Sequence, residues 1–315
     1  MVGRTHGQHA IPITLGLKFA VYIDEFLRHL ERIREAKKRV VAAKVMGAVG
    51  TGAGFGDLAL EINKRVLKHL SLNDATPTTQ VVARDRYAEL VFILANLATT
   101  IERLSIEIRN LQRTEINELR EGFDVARQVG SSTMPHKQNP VKSESVSGIC
   151  RYLRSFVSPS LENNLLWHER DLSNSSVERF IIPHAFILTH HVLVTMTEII
   201  RGITVNKDAI SKNLHMTRGR ILAERIMLAL VNKGVGRNTA HELVRNVAMK
   251  SITEDTDFFE SVKNDTRIMS HLSPEELEAL SRVEDYIGMA VALTERVLER
   301  SKLIYSDKPQ TGQGL

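Results

Sequence analysis

Residues 130–140, GSSTMPHKQNP, gather the groups best able to handle a negative charge. Two adjacent hydroxyls, Ser131 and Ser132, stand just ahead of Lys137, and Pro135 and Pro140 bound the lysine. Small polar residues between prolines make turns, so one reading is a plain connection between helices. The other is an anion site. A helix restarting after Pro140 would present unpaired N–H groups to the segment, and Lys137 adds a positive charge beside the hydroxyls. Such surroundings favour a bound carboxylate or a serine alkoxide. On the residues alone both readings stand.

Residues 167–179, WHERDLSNSSVER, place Arg170, Arg179, three serines and an asparagine just ahead of an apolar stretch. They read either as capping and salt-bridge residues or as a cradle for phosphate or carboxylate, which guanidinium forks and hydroxyls near a helix start would suit. Two other features lose their first appeal. Gly47, Gly50, Gly52, Gly54 and Gly56 cluster, but no GxGxxG or GxxxxGK[ST] register fits, and a lysine-rich helix precedes them where a buried strand is required. They read as a flexible connection between helices, with room to touch a ligand. The 12 histidines include His6, His9 and the adjacent His190 and His191, yet no HExxH or Cys/His framework accompanies them. Neither a metal nor another cofactor is expected.

These segments need rods to hold them. The chain has 315 residues, 43% hydrophobic and 25% charged, with only 18 glycines and 8 prolines. So few chain breakers exclude a turn-rich all-β protein, a collagen-like chain and a long disordered linker. At 5% aromatic, the core must rest on aliphatic side chains. The single cysteine, Cys150, excludes an intrachain disulfide framework and points to a reducing, cytoplasmic setting. Its place early in a helix after residues 130–140 reads as buried packing. The net charge of +5 points to anionic partners. The longest basic run is Lys37-Lys38-Arg39 and aromatic platforms are few, so a nucleic acid is not among those expected. No apolar signal core follows Met1. Residues 180–200 alone could pass for a membrane helix, but Pro183, His184, His190, His191 and Glu198 are expensive in hydrocarbon. A bundle helix explains them better, and no membrane partner is expected.

Leu90, Leu94, Leu97, Ile101, Leu104, Ile108 and Leu111 recur at alternating intervals of four and three. That heptad seam predicts a helix over residues 87–121, of which some 30 residues would span about 45 Å and pack lengthwise against others. Further helices are predicted over residues 14–45, 139–163 and 180–200, the last apolar nearly all round and therefore central. Past Gly202 the helices shorten, over residues 217–232, 237–253, 275–280 and 284–300, with Gly234, Gly236, Asn264 and Pro274 as punctuation. A boundary near Val205 divides a central helical bundle (1–205) from a smaller C-terminal helical domain (206–315), whose polar tail from Tyr305 is expected to be disordered. No strand pattern of useful length is found. The fold class is all-α.

Together these blocks resemble the fumarase/aspartase superfamily, and within it the adenylosuccinate lyases. Residues 130–140 read as the superfamily signature GSSxMPxKxNP, and Arg4-Thr5-His6-Gly7-Gln8 is similar to its RTHGQ block. Residues 79–86, TQVVARDR, are similar to a segment in which a glutamine contacts substrate. Residues 168–179 fit HERDxSxSSxER, which is typical of adenylosuccinate lyases. The resemblance runs from Arg4 to about Leu303. Carboxymuconate cycloisomerases share the MPHK form, so the signature alone does not choose a substrate. The spacing of Arg170, Ser175 and Arg179 does more, because the matching family positions hold the nucleotide phosphate and the substrate carboxylate.

The resemblance implies a long-helix bundle of the fumarase/aspartase type and β-elimination of fumarate from a succinyl-nucleotide. That substrate is adenylosuccinate, giving AMP, together with the succinocarboxamide intermediate of purine biosynthesis. Carried over position by position, Ser131 is the base, with Ser132 as the fallback. His6 is the general acid, and Glu144 pairs with it to set tautomer and basicity. Lys137 and Asn139 stabilise the growing carboxylate charge, and Gln80 and Thr5 position the substrate. Each unit by which a serine pKa is lowered represents about 1.4 kcal/mol, so Lys137, backbone N–H groups and the helix start must act together. The family assembles a homotetramer whose sites draw on three subunits. It also carries its histidine block far into the chain. Here that block begins at Arg4, so the family's N-terminal domain is expected to be missing, and the chain is expected to keep the helical core and tetramer but to have little or no lyase activity alone. The rivals are a carboxymuconate cycloisomerase, an argininosuccinate lyase and a non-catalytic scaffold.

Overall fold

The computed structural model describes residues 1–122, 133–134 and 136–306. They form two compact units that do not follow chain order. One comprises Asp24–Arg113 and Leu119–Thr204; the other comprises Met1–Ile23, Thr114–Glu118 and Val205–Leu315. Residues 1–23, which the sequence reading assigned to the bundle, group with the segment that resumes at Val205.

The first unit is built from α1 (Leu15–Val40, from Asp24 onward), α2 (Ala59–Leu70), α3 (Asp85–Leu111), α4 (Val141–Ser155), α5 (Val157–Glu162) and α6 (Ser173–Gly202). The heptad seam decides its centre. Leu94, Leu97, Ile101, Leu104, Ile108 and Leu111 are all buried, and Leu90 is partly covered. Their helix, α3, packs against α4, α5 and α6. Polar side chains fix the α3–α4 register. Glu102 takes Arg151 Nε at 3.0 Å and also pairs with Arg154, while Ser105 Oγ donates to the Ser143 carbonyl at 2.5 Å. Arg109 donates to Ser147 Oγ at 3.2 Å. Glu102, earlier on α3, meets the later part of α4, while Ser105 and Arg109 meet its earlier part, so the two helices run antiparallel. Against α1, Thr100 donates to Glu25 at 2.7 Å, so His29 must donate from Nε2 to the Thr100 oxygen, also at 2.7 Å. The remaining His29 nitrogen, Nδ1, then accepts from Arg32. Burial first, and Arg32 second, hold the His29 pKa below its ordinary value.

Several helix bounds differ from the sequence expectation, for local reasons. The α3 helix stops at Leu111 rather than near residue 121, and Asn117 follows with φ 51°, a left-handed conformation that asparagine tolerates. The helix predicted over 139–163 divides into α4 and α5 around Phe156, because the Pro159 ring conflicts with the Ser155 carbonyl four residues back. The α6 helix is not central within one chain. Ile181, Ala185, Val192, Met196 and Ile199 are buried along one face, while Phe180, Phe186, Ile187, Leu193, Val194 and Ile200 stay exposed. By length and composition α6 is the one helix, among the described residues, that could cross a membrane. Its covered stripe against α3 and α4 and its charged and imidazole residues fit a bundle better.

The second unit opens with a hairpin, β1 (Val2–Thr5) and β2 (Gln8–Pro12), paired antiparallel with Arg4 opposite His9. The sequence reading missed it because each strand is five residues or fewer. The helices α7 (Lys207–His215), α8 (Ala223–Asn232), α9 (Arg237–Thr253), α10 (Phe258–Lys263), α11 (Thr266–Met269), α12 (Pro274–Ser281) and α13 (Ala290–Ser306) follow. Side-chain caps start the short ones. Asn206, Asp257 and Asp265 accept from backbone N–H groups, and Ser273 and Glu276 form a reciprocal capping box. Ile226, Leu230, Val244, Phe258, Val262 and Ile268 form the core they enclose. The expected tail lies outside the described residues beyond Ser306.

Candidate active site

His6 and Thr5 are carried by the hairpin of the second unit. His6 and Gly7 form its two-residue turn with φ values of 53° and 74°, the double positive φ of a type I′ connection. Such a conformation costs a non-glycine residue about 1 kcal/mol, so something must hold it. Arg4, two residues earlier, grips Glu118 with both terminal nitrogens at 3.0 and 2.8 Å. Asn213 adds a third hydrogen bond to the same carboxylate at 2.9 Å, and the Glu118 side chain is fully buried. Across the ladder, burial and then the Arg4 charge lower the His9 pKa. His6 itself stands exposed at the tip.

The other candidates belong to the first unit. Ser131 and Ser132 lie outside the described residues. Lys137 is exposed and Asn139 half-buried, and the segment between them is tied down by Gln112 Nε2, which donates to the Gln138 carbonyl at 3.1 Å. The same Gln112 accepts from the Glu121 N–H at 2.9 Å, so one side chain links the chain before and after residues 122–138.

The start of α4 corrects the sequence reading. Its N–H groups were expected to stand open toward the signature. Instead Glu121 receives the Lys142 N–H at 3.1 Å, the Ser143 N–H at 3.0 Å and the Ser143 hydroxyl at 2.6 Å. The Val141 and Glu144 N–H groups bond the carbonyls of Asn139 and Pro140. This helix start already holds its anion, the protein's own buried carboxylate. Glu144, in the first turn of α4, is exposed; it belongs to one unit and His6 to the other.

The start of α6 is arranged differently. Asp171 folds the preceding turn, accepting from the Ser173 N–H at 2.7 Å, the Ser173 hydroxyl at 2.5 Å and the Trp167 N–H at 2.5 Å. The Ser173 hydroxyl, then the Trp167 and Ser173 N–H groups, hold its pKa below the usual carboxylate range. The Gln80 N–H donates to the Glu169 carbonyl at 3.2 Å, joining the glutamine segment to the arginine segment. The glycine loop presses on the same place: a Cβ at Gly50 would stand 1.8 Å from the Thr78 carbonyl oxygen, so only glycine fits there. Two cavities result, of about 530 and 480 Å³. Gln80, Ala48, Val49 and Arg170 line the first; Arg170, Ser175 and Arg179 line the second with Arg84 and Glu178. Arg170 is common to both, and neither Arg170 nor Arg179 forms an ion pair among the described residues.

The structure therefore brings together Gln80, Arg170, Ser175 and Arg179. Sequence reasoning assigned no role to Arg84, Glu178, Gln112, Glu118 or Glu121. The first two stood inside quoted motifs, and their only signal was opposite charge on two segments each linked to the substrate by the resemblance. Among the described residues no cluster of three His, Cys, Asp or Glu side chains could hold a metal ion.

A family model described as Lyase matches residues 1–154, and one described as Adenylosuccinate lyase C-terminus matches residues 219–297. The adenylosuccinate lyase of Pyrococcus abyssi is 50% identical over 297 residues, which is 94% of this chain and 66% of that protein. The adenylosuccinate lyase of Methanothermobacter thermautotrophicus is 46% identical, over 96% of this chain and 67% of its own length. The chain thus spans about two thirds of the length of the curated relatives it matches. Among solved structures, a fumarate lyase from Mesorhizobium sp. BNC1 superposes with a TM-score of 0.85 at 29% identity, covering 95% of this chain and 66% of that one. The 3-carboxy-cis,cis-muconate lactonizing enzyme of Pseudomonas putida gives a TM-score of 0.85 at 28% identity, covering 96% and 67%. Sequence identity, family models and the helical bundle agree, and the chain belongs to the adenylosuccinate lyase family of the fumarase/aspartase superfamily.

Proposed function

We propose that this protein eliminates fumarate from adenylosuccinate, releasing AMP, and does the same to the succinocarboxamide nucleotide of purine biosynthesis. The observation that carries the reading is the cavity at the start of α6, where Arg170, Ser175 and Arg179 face one space and Arg170 also faces the cavity of Gln80. A phosphate monoester is recognised by such guanidinium forks and hydroxyls. Gln80 stands where the rest of a nucleotide would extend.

In the reaction so read, Ser131, or Ser132 in its place, removes the proton next to a carboxylate. Lys137 and Asn139 carry the charge that grows on that carboxylate. His6, oriented by Glu144, protonates the departing nitrogen. Because the α4 N–H groups already serve Glu121, the stabilisation of a serine alkoxide falls to Lys137 and to backbone N–H groups outside that helix start. Thr5 stands next to His6 on the same hairpin and positions substrate.

We further propose a cytoplasmic homotetramer with sites shared between subunits. The exposed apolar face of α6 supports it. The reading is tested by offering the purified protein adenylosuccinate, argininosuccinate and carboxymuconate and measuring fumarate or lactone. What turnover the chain supports, slow as it is expected to be, should fall on adenylosuccinate; preference for either of the others would overturn the substrate assignment, and a homogeneous monomer in light scattering would overturn the assembly.

A further inference from the structure

The cavity that meets Arg170, Ser175 and Arg179 holds a third arginine on a different chain segment. Arg84, at the start of α3, places Nε 3.0 Å from Glu178 Oε1 on α6, and the two side chains are only 12% and 20% exposed. At that distance an ion pair is formed, yet neither atom completes a well-directed hydrogen bond. The guanidinium carbon also lies 4.6 Å from the Tyr87 ring centre, a cation–π contact that holds Arg84 independently of the glutamate. Among the described residues the terminal nitrogens of Arg84 make no hydrogen bond, so its fork is available to a ligand.

The charges around this space are Arg84, Arg170, Arg179 and Glu178, a net of two positive charges. A phosphate monoester near neutral pH carries about 1.5 to 2 negative charges. Cavity and phosphate monoester therefore match in charge only while Glu178 cancels one arginine. Resting on the nucleotide reading of this cavity, we infer that Arg84 is a third cation of the phosphate cradle and that Glu178 restrains it, so that the pair sets how tightly the cavity holds a phosphate monoester. A glutamate beside a phosphate site weakens binding. Its presence trades affinity for release of a phosphorylated product.

A purely structural ion pair makes the opposite forecast, and the sign of one substitution separates the two. The experiment is calorimetric titration of the chain with AMP, with adenosine as the phosphate-free control and inorganic phosphate as the minimal probe. Glu178→Gln is nearly isosteric and should tighten AMP and phosphate about fivefold while leaving adenosine unchanged, the scale of one unit charge about 4 Å away through water. Arg84→Ala should weaken AMP about tenfold, and Arg84→Lys, which keeps the charge and loses the fork, should fall between. Raising the salt concentration should shrink these differences. If Glu178→Gln weakens AMP or leaves it unchanged while Arg179→Ala abolishes binding, the cavity takes the phosphate and the inference is wrong. If Arg170→Ala and Arg179→Ala leave AMP binding intact, or the parent chain binds neither AMP nor phosphate, the nucleotide reading itself fails and takes the inference with it. Thermal melts accompany every variant. Should Arg84→Ala unfold, the Glu178→Gln and Arg84→Lys results decide the matter.

Discussion

The starts of α4 and α6 look alike in the sequence and differ in the structure. Each follows a polar segment with a cation nearby, and each invites an anion. At α4 the anion is internal: Glu121 occupies the N–H groups of Lys142 and Ser143, and carbonyls take the neighbouring ones. At α6 a half-buried Asp171 shapes the turn, while Arg170 and Arg179 project into a cavity without ion pairs among the described residues. A helix start is a binding site only when its donors are unengaged, and at α6 the unpaired positive charge comes from side chains. The first region is built for stability and, on the proposed reading, the second for recognition.

The largest effect expected from breaking this contrast is at Glu121. Glu121→Ala removes three hydrogen bonds, orphans two N–H groups and leaves the Ser143 hydroxyl buried without that partner. The loss should be about 3 kcal/mol by urea unfolding, combining a lost cap with unsatisfied buried groups. Cys150 on the same helix gives an independent reading. Burial, then the Glu102 charge, pushes its thiol up to about 12, so the folded chain should resist a thiol reagent. In Glu121→Ala that reaction should quicken as α4 frays. A loss below about 0.5 kcal/mol, the scale of an ordinary surface change, would erase the distinction between the two helix starts.

Next is Arg179→Ala, with the opposite profile. Urea unfolding should move by less than about 0.5 kcal/mol, as for a surface residue, while AMP affinity should fall at least about tenfold, the worth of one charge-assisted hydrogen bond. A smaller effect is expected from pH, at a place belonging to neither helix start. His29 is held below its ordinary pKa in the folded chain, so the unfolded chain binds the extra proton first. Its contribution to stability is present above the unfolded value near 6.5 and is lost as pH falls toward the folded one. A urea series from pH 7.5 to pH 5 should show declining stability, and His29→Gln should flatten the decline. The smallest effect belongs to Asp171→Asn. The turn should keep its form and AMP affinity should drop only a few-fold, because Asp171 folds the turn next to Arg170 and its bonds are to Ser173 and Trp167.

How legible each region was depends on range. The α3 helix could be read because its apolar residues repeat every three or four positions, and burial of that seam needs no knowledge of partners. Residues 237–253 were bounded correctly for the same reason. The α6 start was set at residue 180 and lies at Ser173, because the polar run 173–179 carries no apolar period to mark the first two turns. Glu121 was not: its partners Lys142 and Ser143 lie across the signature segment, and in sequence it continues an apparently helical run. The Glu118–Arg4 contact that steadies the His6 turn spans 114 positions, and the Arg84–Glu178 pair joins two motifs that sequence kept apart. The exposed face of α6 was misjudged because composition reports how apolar a helix is without saying what covers it.

The contrast between the two helix starts is tested most directly by titrating the isotopically labelled chain with AMP and following individual backbone amides by NMR. Signals of Arg170, Ser175 and Arg179 should shift together and saturate at one concentration, while those of Lys142 and Ser143 stay in place. Saturating shifts at Lys142 and Ser143, with Arg170 and Arg179 unmoved, would contradict the account.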